Sequence, residues 1–139
     1  MTVTFCGHRD YVYDNKKEDL KKIITNTIEN GATEFLLGGY GAFDLICAYI
    51  LKELRKSNDI FKTILVIPYL NNKYDLNLYD SSIYPPIEHI PLKYAIAERN
   101  KWMVNKSNII ISGVMHSYGG ASKTLLYAQK LNKKIMYLK

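Results

Sequence analysis

A chain of 139 residues, 47% of them hydrophobic, has the length and apolar content of one globular domain, and disorder is excluded as the default. Its formal net charge of +6 comes mostly from lysines dispersed along candidate helix faces, as in KKEDLKK and LNKKIMYLK, the pattern of a solvated surface rather than of a dedicated nucleic-acid patch. The apolar stretches are short and interrupted, so none spans a bilayer, and MTVTFCGHRD lacks the basic-then-apolar order of a secretion signal; a cytoplasmic location is the expectation.

In chain order, TVTFC (Thr2 to Cys6) predicts a first short strand ending at Gly7. From Asn15 the period changes: Leu20, Ile23, Ile24, Thr27 and Ile28 fall on one helical stripe, and Gly31 suits the position just past a helix end. TEFLLGG predicts a buried strand running into a glycine turn. Phe43, Ile46, Cys47, Ile50, Leu51 and Leu54 then recur at helical spacing, which predicts a helix from about Ala42 to Lys56. FKTILVIPY is a near-continuous apolar run, as in a strand covered on both faces, and Pro68 ends it.

Tyr69 to Pro91 is rich in Asn, Asp, Ser, Pro and Tyr and predicts a long irregular segment of the kind used as a lid or binding loop, with IEHI as one short strand inside it. A third helix is predicted over Leu92 to Lys106, a strand at NIIISGV, a fourth helix over GGASKTLLYAQKLN and a last strand at KIMYL. This strand–helix alternation predicts one domain over residues 1–139, an α/β Rossmann-like three-layer sandwich with a mainly parallel five-stranded sheet. Ligands of such sheets bind at the carboxyl ends of the strands, near the topological switch point.

Three segments fall at predicted strand ends: GHRD, GGYGAFD and HSYGGAS. Free backbone N–H groups and the helix dipole favour an anion at such turns, commonly phosphate, while close helix–strand packing demands glycine there just as well. Neither glycine turn matches the dinucleotide fingerprint or the P-loop spacing, which excludes an ordinary NAD dehydrogenase or P-loop NTPase. Arginine is scarce, limited to Arg9, Arg55 and Arg99, and its planar fork of donors suits specific recognition better than lysine does. Cys6 and Cys47 lie inside apolar runs without a CxxC partner and read as buried free thiols; no cofactor or metal is expected.

VTFCGHR, FLLGGYGAFD, AIAERNKWMVNKSNIIISGV and YGGASKTLLYAQK, in this order and almost end to end, resemble the SLOG superfamily, most closely its small YpsA-like members. The resemblance implies a Rossmann-like fold and a nucleotide or nucleotide-derived ligand held by glycine-rich turns, a theme shared with the Lonely Guy phosphoribohydrolases and the DNA-binding Smf/DprA proteins. GGYGAFD resembles the first Lonely Guy glycine motif, and Glu98, Arg99 and Asn100 resemble the Glu-Arg-Lys-type motif of its third helix. In the second motif Gly119 and Gly120 match, Ser122 replaces a later glycine, and Leu125 and Leu126 stand where the catalytic glutamates fall, so phosphoribohydrolase activity is not expected.

The expected ligand-binding residues are Gly7, His8, Arg9, Gly38, Gly39, Gly41, Asp44, Arg99, Gly119, Gly120 and Ser122, around a ligand carrying phosphate and ribose, such as a nucleoside monophosphate or an ADP-ribose relative. Asp44 reads equally as a ribose ligand or as a complement to the helix dipole. At least one of Tyr69, Tyr74, Tyr79 and Tyr84 is expected near the ligand. A sensor or sequestering module leads. A hydrolase cleaving an N-glycosidic or phosphoester bond through Asp44, Glu88 or His116, and a DprA-type nucleic-acid module, stand as alternatives. Homo-oligomerisation is expected from the superfamily and from the tyrosines and Trp102.

Overall fold

In the computed structural model, which describes residues 1–70 and 74–139, β1 (Thr2–Gly7) lies inside the sheet and its alternating side chains set the layers. Val3 and Phe5 face one side, where α1 (Lys17–Glu29) and α2 (Ala42–Arg55) bury Leu20, Ile24, Phe43, Cys47 and Leu51 against them. Cys6 faces the other, against Val104 of α3 (Ala95–Lys106) and Ala128 of α4 (Gly120–Lys130). A strand buried on both faces must be apolar throughout, as TVTFC nearly is; the hydroxyl of Thr4 donates to the Leu36 carbonyl at 2.9 Å.

The sheet has six strands, not five: β2 (Glu34–Leu37), β3 (Lys62–Val66), β4 (Ser81–Ile83), β5 (Ile109–Gly113) and β6 (Lys134–Tyr137) join β1 in the order β4-β3-β2-β1-β5-β6. Every neighbouring pair is parallel. The expected strand at IEHI is instead a turn, in which the Ile90 N–H donates to the Ile87 carbonyl at 2.9 Å. The strand of that segment is β4. It is held by polar bonds: the Asp80 carboxylate accepts from the Thr63 amide at 2.8 Å and from Arg55 Nη1 at 2.8 Å on each oxygen. Residues 71–73 of the irregular segment lie outside the described residues; the rest includes a 3₁₀ turn at Leu76–Leu78.

Winding runs outward from β1 through β2 and β3 to β4, then returns to β1's other side for β5 and β6. The switch point therefore lies between β1 and β5. Gly7 and Gly113 face each other in register at the carboxyl ends of these two strands. Both lie under the Phe43 ring, and a Cβ on either would occupy the ring's own space. The Tyr13 hydroxyl ties the two strand ends, accepting from the His8 amide at 2.8 Å and donating to the Gly113 carbonyl at 2.7 Å.

Gly7→Ala is expected to destabilise the protein by roughly 1–3 kcal/mol through overpacking. Phe43→Leu in the same chain should recover part of that loss. Urea unfolding of the single and double variants measures both, and a non-additive double variant is the signature of the contact.

Candidate functional site

A cleft of about 800 Å³ opens where β1 and β5 part, at the carboxyl edge of the sheet. Its three walls come from four chain segments: the β1 exit, the start of α2 together with α3, and the β5–α4 loop with the first turn of α4.

The β1 exit supplies Gly7, His8 and Arg9. His8 is buried, and its Nε2 accepts the amide of Met115 at 2.7 Å and that of His116 at 3.2 Å. A nitrogen that accepts twice carries no proton, so the ring is neutral with its proton on Nδ1. Burial and the neighbouring His116 push the His8 pKa down, which keeps it so. Arg9 is exposed at the mouth; its Nη1 donates to the Tyr40 hydroxyl at 2.9 Å, and its guanidinium carbon lies 5.3 Å from the centre of that ring.

The glycines of the β2–α2 turn, GGYGAFD, serve packing. The first amides of α2 are already taken, Ala42 donating to the Arg9 carbonyl at 2.9 Å and Phe43 to the His8 carbonyl at 3.2 Å. Gly41, at φ 94°, lies against the Arg9 backbone, where a Cβ would come within 2.8 Å of Cα. A Cβ on Gly38 would meet the Asp44 carboxylate at 2.8 Å and the Arg99 guanidinium carbon at 2.9 Å. Gly39 backs onto Leu65. None of these three glycines lines the cleft.

What the turn admits is a charged pair of walls. Arg99 is 3% exposed, and its Nη1 donates to the carbonyls of Gly38 and Val66, each at 2.9 Å, while Nε donates to Asn100 Oδ1 at 2.9 Å. Those carbonyls end β2 and β3, so the guanidinium crosses the ends of two strands. Nη2 has no acceptor among the hydrogen bonds of the described residues, and the side chain lines the cleft. Burial pushes the Asp44 carboxyl up to about 6, against the opposing pull of Arg99 and of the Tyr40 and Gly38 backbone. Asp44 thus changes charge near neutrality inside the cleft wall.

The third wall is the β5–α4 loop. His116 stacks on His8 with ring centres 3.5 Å apart, and Tyr118 stacks on His116 at 3.8 Å. Gly119, at φ 90°, caps α4 without a side-chain acceptor. Neither Gly119 nor Gly120 would bring a Cβ within 4 Å of anything. The first amides of a helix have no intrahelical partner, and here the residues that carry them, Gly120 and Ala121, line the cleft.

The structure thus places Gly7, His8, Arg9, Asp44, Arg99, Gly119 and Gly120 around one cleft, and Gly38, Gly39, Gly41 and Ser122 outside its lining. Ser122 is buried in α4. Leu125 packs beside the Cys6–Val104–Ala128 cluster and Leu126 is exposed, both off the cleft. Glu88 and His89 are exposed elsewhere. Of the loop tyrosines, Tyr74 and Tyr69 lie near enough to Arg99 to affect its charge, without lining the cleft. Sequence reasoning missed Tyr11, Tyr40 and Tyr118, although an aromatic residue directly before a strand-end glycine pair was a usable signal for Tyr118.

Searches against protein-family models and against curated proteins find no match. Among solved structures, the DNA processing protein A of Streptococcus pneumoniae is similar at 21% identity and a TM-score of 0.72, covering 98% of this chain and 49% of its own. DNA processing protein A of Helicobacter pylori, described as binding single-stranded DNA, is similar at 21% identity and a TM-score of 0.69, over 99% of this chain and 64% of its own. The molybdenum cofactor binding protein of Rippkaea orientalis matches at 16% identity and a TM-score of 0.69, over 98% and 74%. The chain thus spans about half to two thirds of the length of the DNA processing proteins. It has the α/β Rossmann-like fold of these proteins. No helix of the described residues is long and apolar enough to cross a membrane.

The Asp44 carboxyl, raised from 3.8 to about 6, contributes stability that is fully present below 3.8 and is lost as pH rises through 6. Asp44→Asn should therefore gain on the wild type by roughly 2–3 kcal/mol between pH 4 and pH 7. Parallel denaturation curves at the two pH values check it. A stability difference that does not change with pH would place the carboxyl at its ordinary value.

Proposed function

We propose that the protein binds a nucleotide-derived ligand carrying phosphate and ribose in the β1–β5 cleft, as a sensor or sequestering module. The observation that carries this reading is that the uncapped amino end of α4 and the buried Arg99 line the same cleft, with Gly119 and Gly120 adding no side chain to it. Amides and guanidinium are both donors suited to phosphate oxygens, and a buried arginine already fixed by carbonyls gives up little freedom on binding. Asp44, on the α2 side, is an acceptor for a ribose hydroxyl.

The order of the four motifs supports a place beside the YpsA-like branch of the SLOG superfamily. The fold likeness to a molybdenum cofactor binding protein supports a small-molecule ligand as the first reading. A phosphoribohydrolase reading is weakened because Leu125 and Leu126 lie off the cleft. Binding of single-stranded nucleic acid is the second reading, favoured by the exposed Arg9–Tyr40 pair at the mouth and by the likeness to a DNA processing protein. Self-association belongs to the proposal, and light scattering above the 16.0 kDa monomer mass would support it.

Gly120→Leu separates ligand approach from folding, since its Cβ meets nothing in the protein. The variant should keep the wild-type melting temperature and lose affinity for nucleoside monophosphates by roughly tenfold or more, read by calorimetric titration. Unchanged affinity in the folded variant would remove the α4 terminus from the site. Affinity for a small ligand should change modestly between 50 and 200 mM salt, whereas nucleic-acid binding through several phosphates falls by about 10³–10⁵ over that range.

A further inference from the structure

The two ring contacts of the β5–α4 loop are closer than every other aromatic pair described. His8–His116 and His116–Tyr118 are 3.5 and 3.8 Å between centres, with interplanar angles of 17° and 16°. The pairs that fill the core are 4.9 to 6.3 Å apart, with Phe5–Phe43, Tyr13–Phe43 and Phe35–Phe61 tilted by 50° to 79° and Phe5–Phe35 near-parallel at 6.0 Å and 22°. Core aromatics adopt such offset or edge arrangements because the ring quadrupoles favour them. The loop rings instead form a flat column.

The column is fixed at one end and open at the other. At its base the buried His8 is held by the Met115 and His116 amides. At its tip Tyr118 is 71% exposed and lines the cleft. Inside it, His116 Nδ1 is buried with no hydrogen-bond partner among the described residues. A column selected for packing alone would bury its last ring and satisfy that nitrogen. This one instead holds an exposed ring beside the glycine pair that opens α4.

We propose that Tyr118 is the base platform of the site: a nucleobase of the ligand stacks on the outer face of Tyr118 as the fourth ring of the His8–His116–Tyr118 column, with the phosphate reaching the amides at Gly119–Gly120. The inference rests on the nucleotide-binding reading given above. Tyr118 and Gly120 are two residues apart, at most about 7 Å along the backbone, a separation that one ribose spans. Stacking on a tyrosine face reads ring area rather than hydrogen-bonding edges, so the site ranks ligands by the size of their bases.

Calorimetric titration of the full chain with AMP, UMP and ribose 5-phosphate tests this, on wild type, Tyr118→Ala and Tyr118→Phe. Wild type should bind AMP roughly 5- to 100-fold more tightly than ribose 5-phosphate, with UMP between them. Tyr118→Ala should lose that advantage while holding ribose 5-phosphate as before, and Tyr118→Phe should keep it, because the ring is retained. If ribose 5-phosphate binds and AMP gains nothing over it, or if Tyr118→Ala keeps the full AMP advantage, the platform is wrong and the phosphate site stands. If none of the three probes binds wild type, the cleft reading fails and the platform fails with it.

Discussion

Close approach of one aromatic ring to two strands is the constraint on which the rest of the structure depends. Phe43 lies over Gly7 and Gly113, the facing last residues of β1 and β5. That contact sets the first turn of α2 over the ends of both strands. Its leading amides then reach the carbonyls of His8 and Arg9. The chain leaving β1 is therefore held on one side by α2 and on the other by the Tyr13 hydroxyl. The cleft lies where these restraints stop, against the β5–α4 loop.

Charge in this region is managed by burial. Arg99 is almost wholly enclosed, yet its Nη1 and Nε are matched to two carbonyls and an amide oxygen, so the enclosed guanidinium is not left bare. His8 and Asp44 respond in opposite senses. Burial lowers the histidine and raises the acid, so both are biased toward their neutral forms. Two carboxyl groups line the cleft beside its arginines: the exposed Asp10, 3.7 Å from Arg9, and Asp44, so Arg99 is the enclosed positive group the cleft offers.

The sheet's interior was legible in the sequence and its edge was not. Val3, Phe5, Leu36, Leu37, Ile64 to Val66 and Ile109 to Ile111 are buried strand residues, and long apolar runs announce such strands. All three residues of β4 are exposed, and the strand is held by Asp80 and its partners, so no hydrophobic pattern marks it. IEHI carried the apolar signal but is a turn in which only Ile87 is buried. The glycines illustrate the same limit at the site. Sequence shows that a turn needs glycine without showing what comes close: at Gly38 it is a side-chain pair, at Gly41 the Arg9 backbone, and at Gly119 and Gly120 nothing in the protein. Arg99 was identifiable by its rarity, but its bonds to the carbonyls at two strand ends arise only when β2 and β3 lie side by side.

The tie between the α2 amides and the β1 exit divides the cleft unequally. One wall is part of the scaffold: a substitution among Gly7, Gly38, Gly41 or Phe43 disturbs folding before it disturbs recognition. The opposite wall, from Met115 to Gly120, has space beyond its backbone at the glycines and a largely exposed side chain at Tyr118. Gly119, at φ 90°, resists any other side chain, but one placed at Gly120 would meet nothing in the protein and would narrow the cleft without disturbing the strands beneath it.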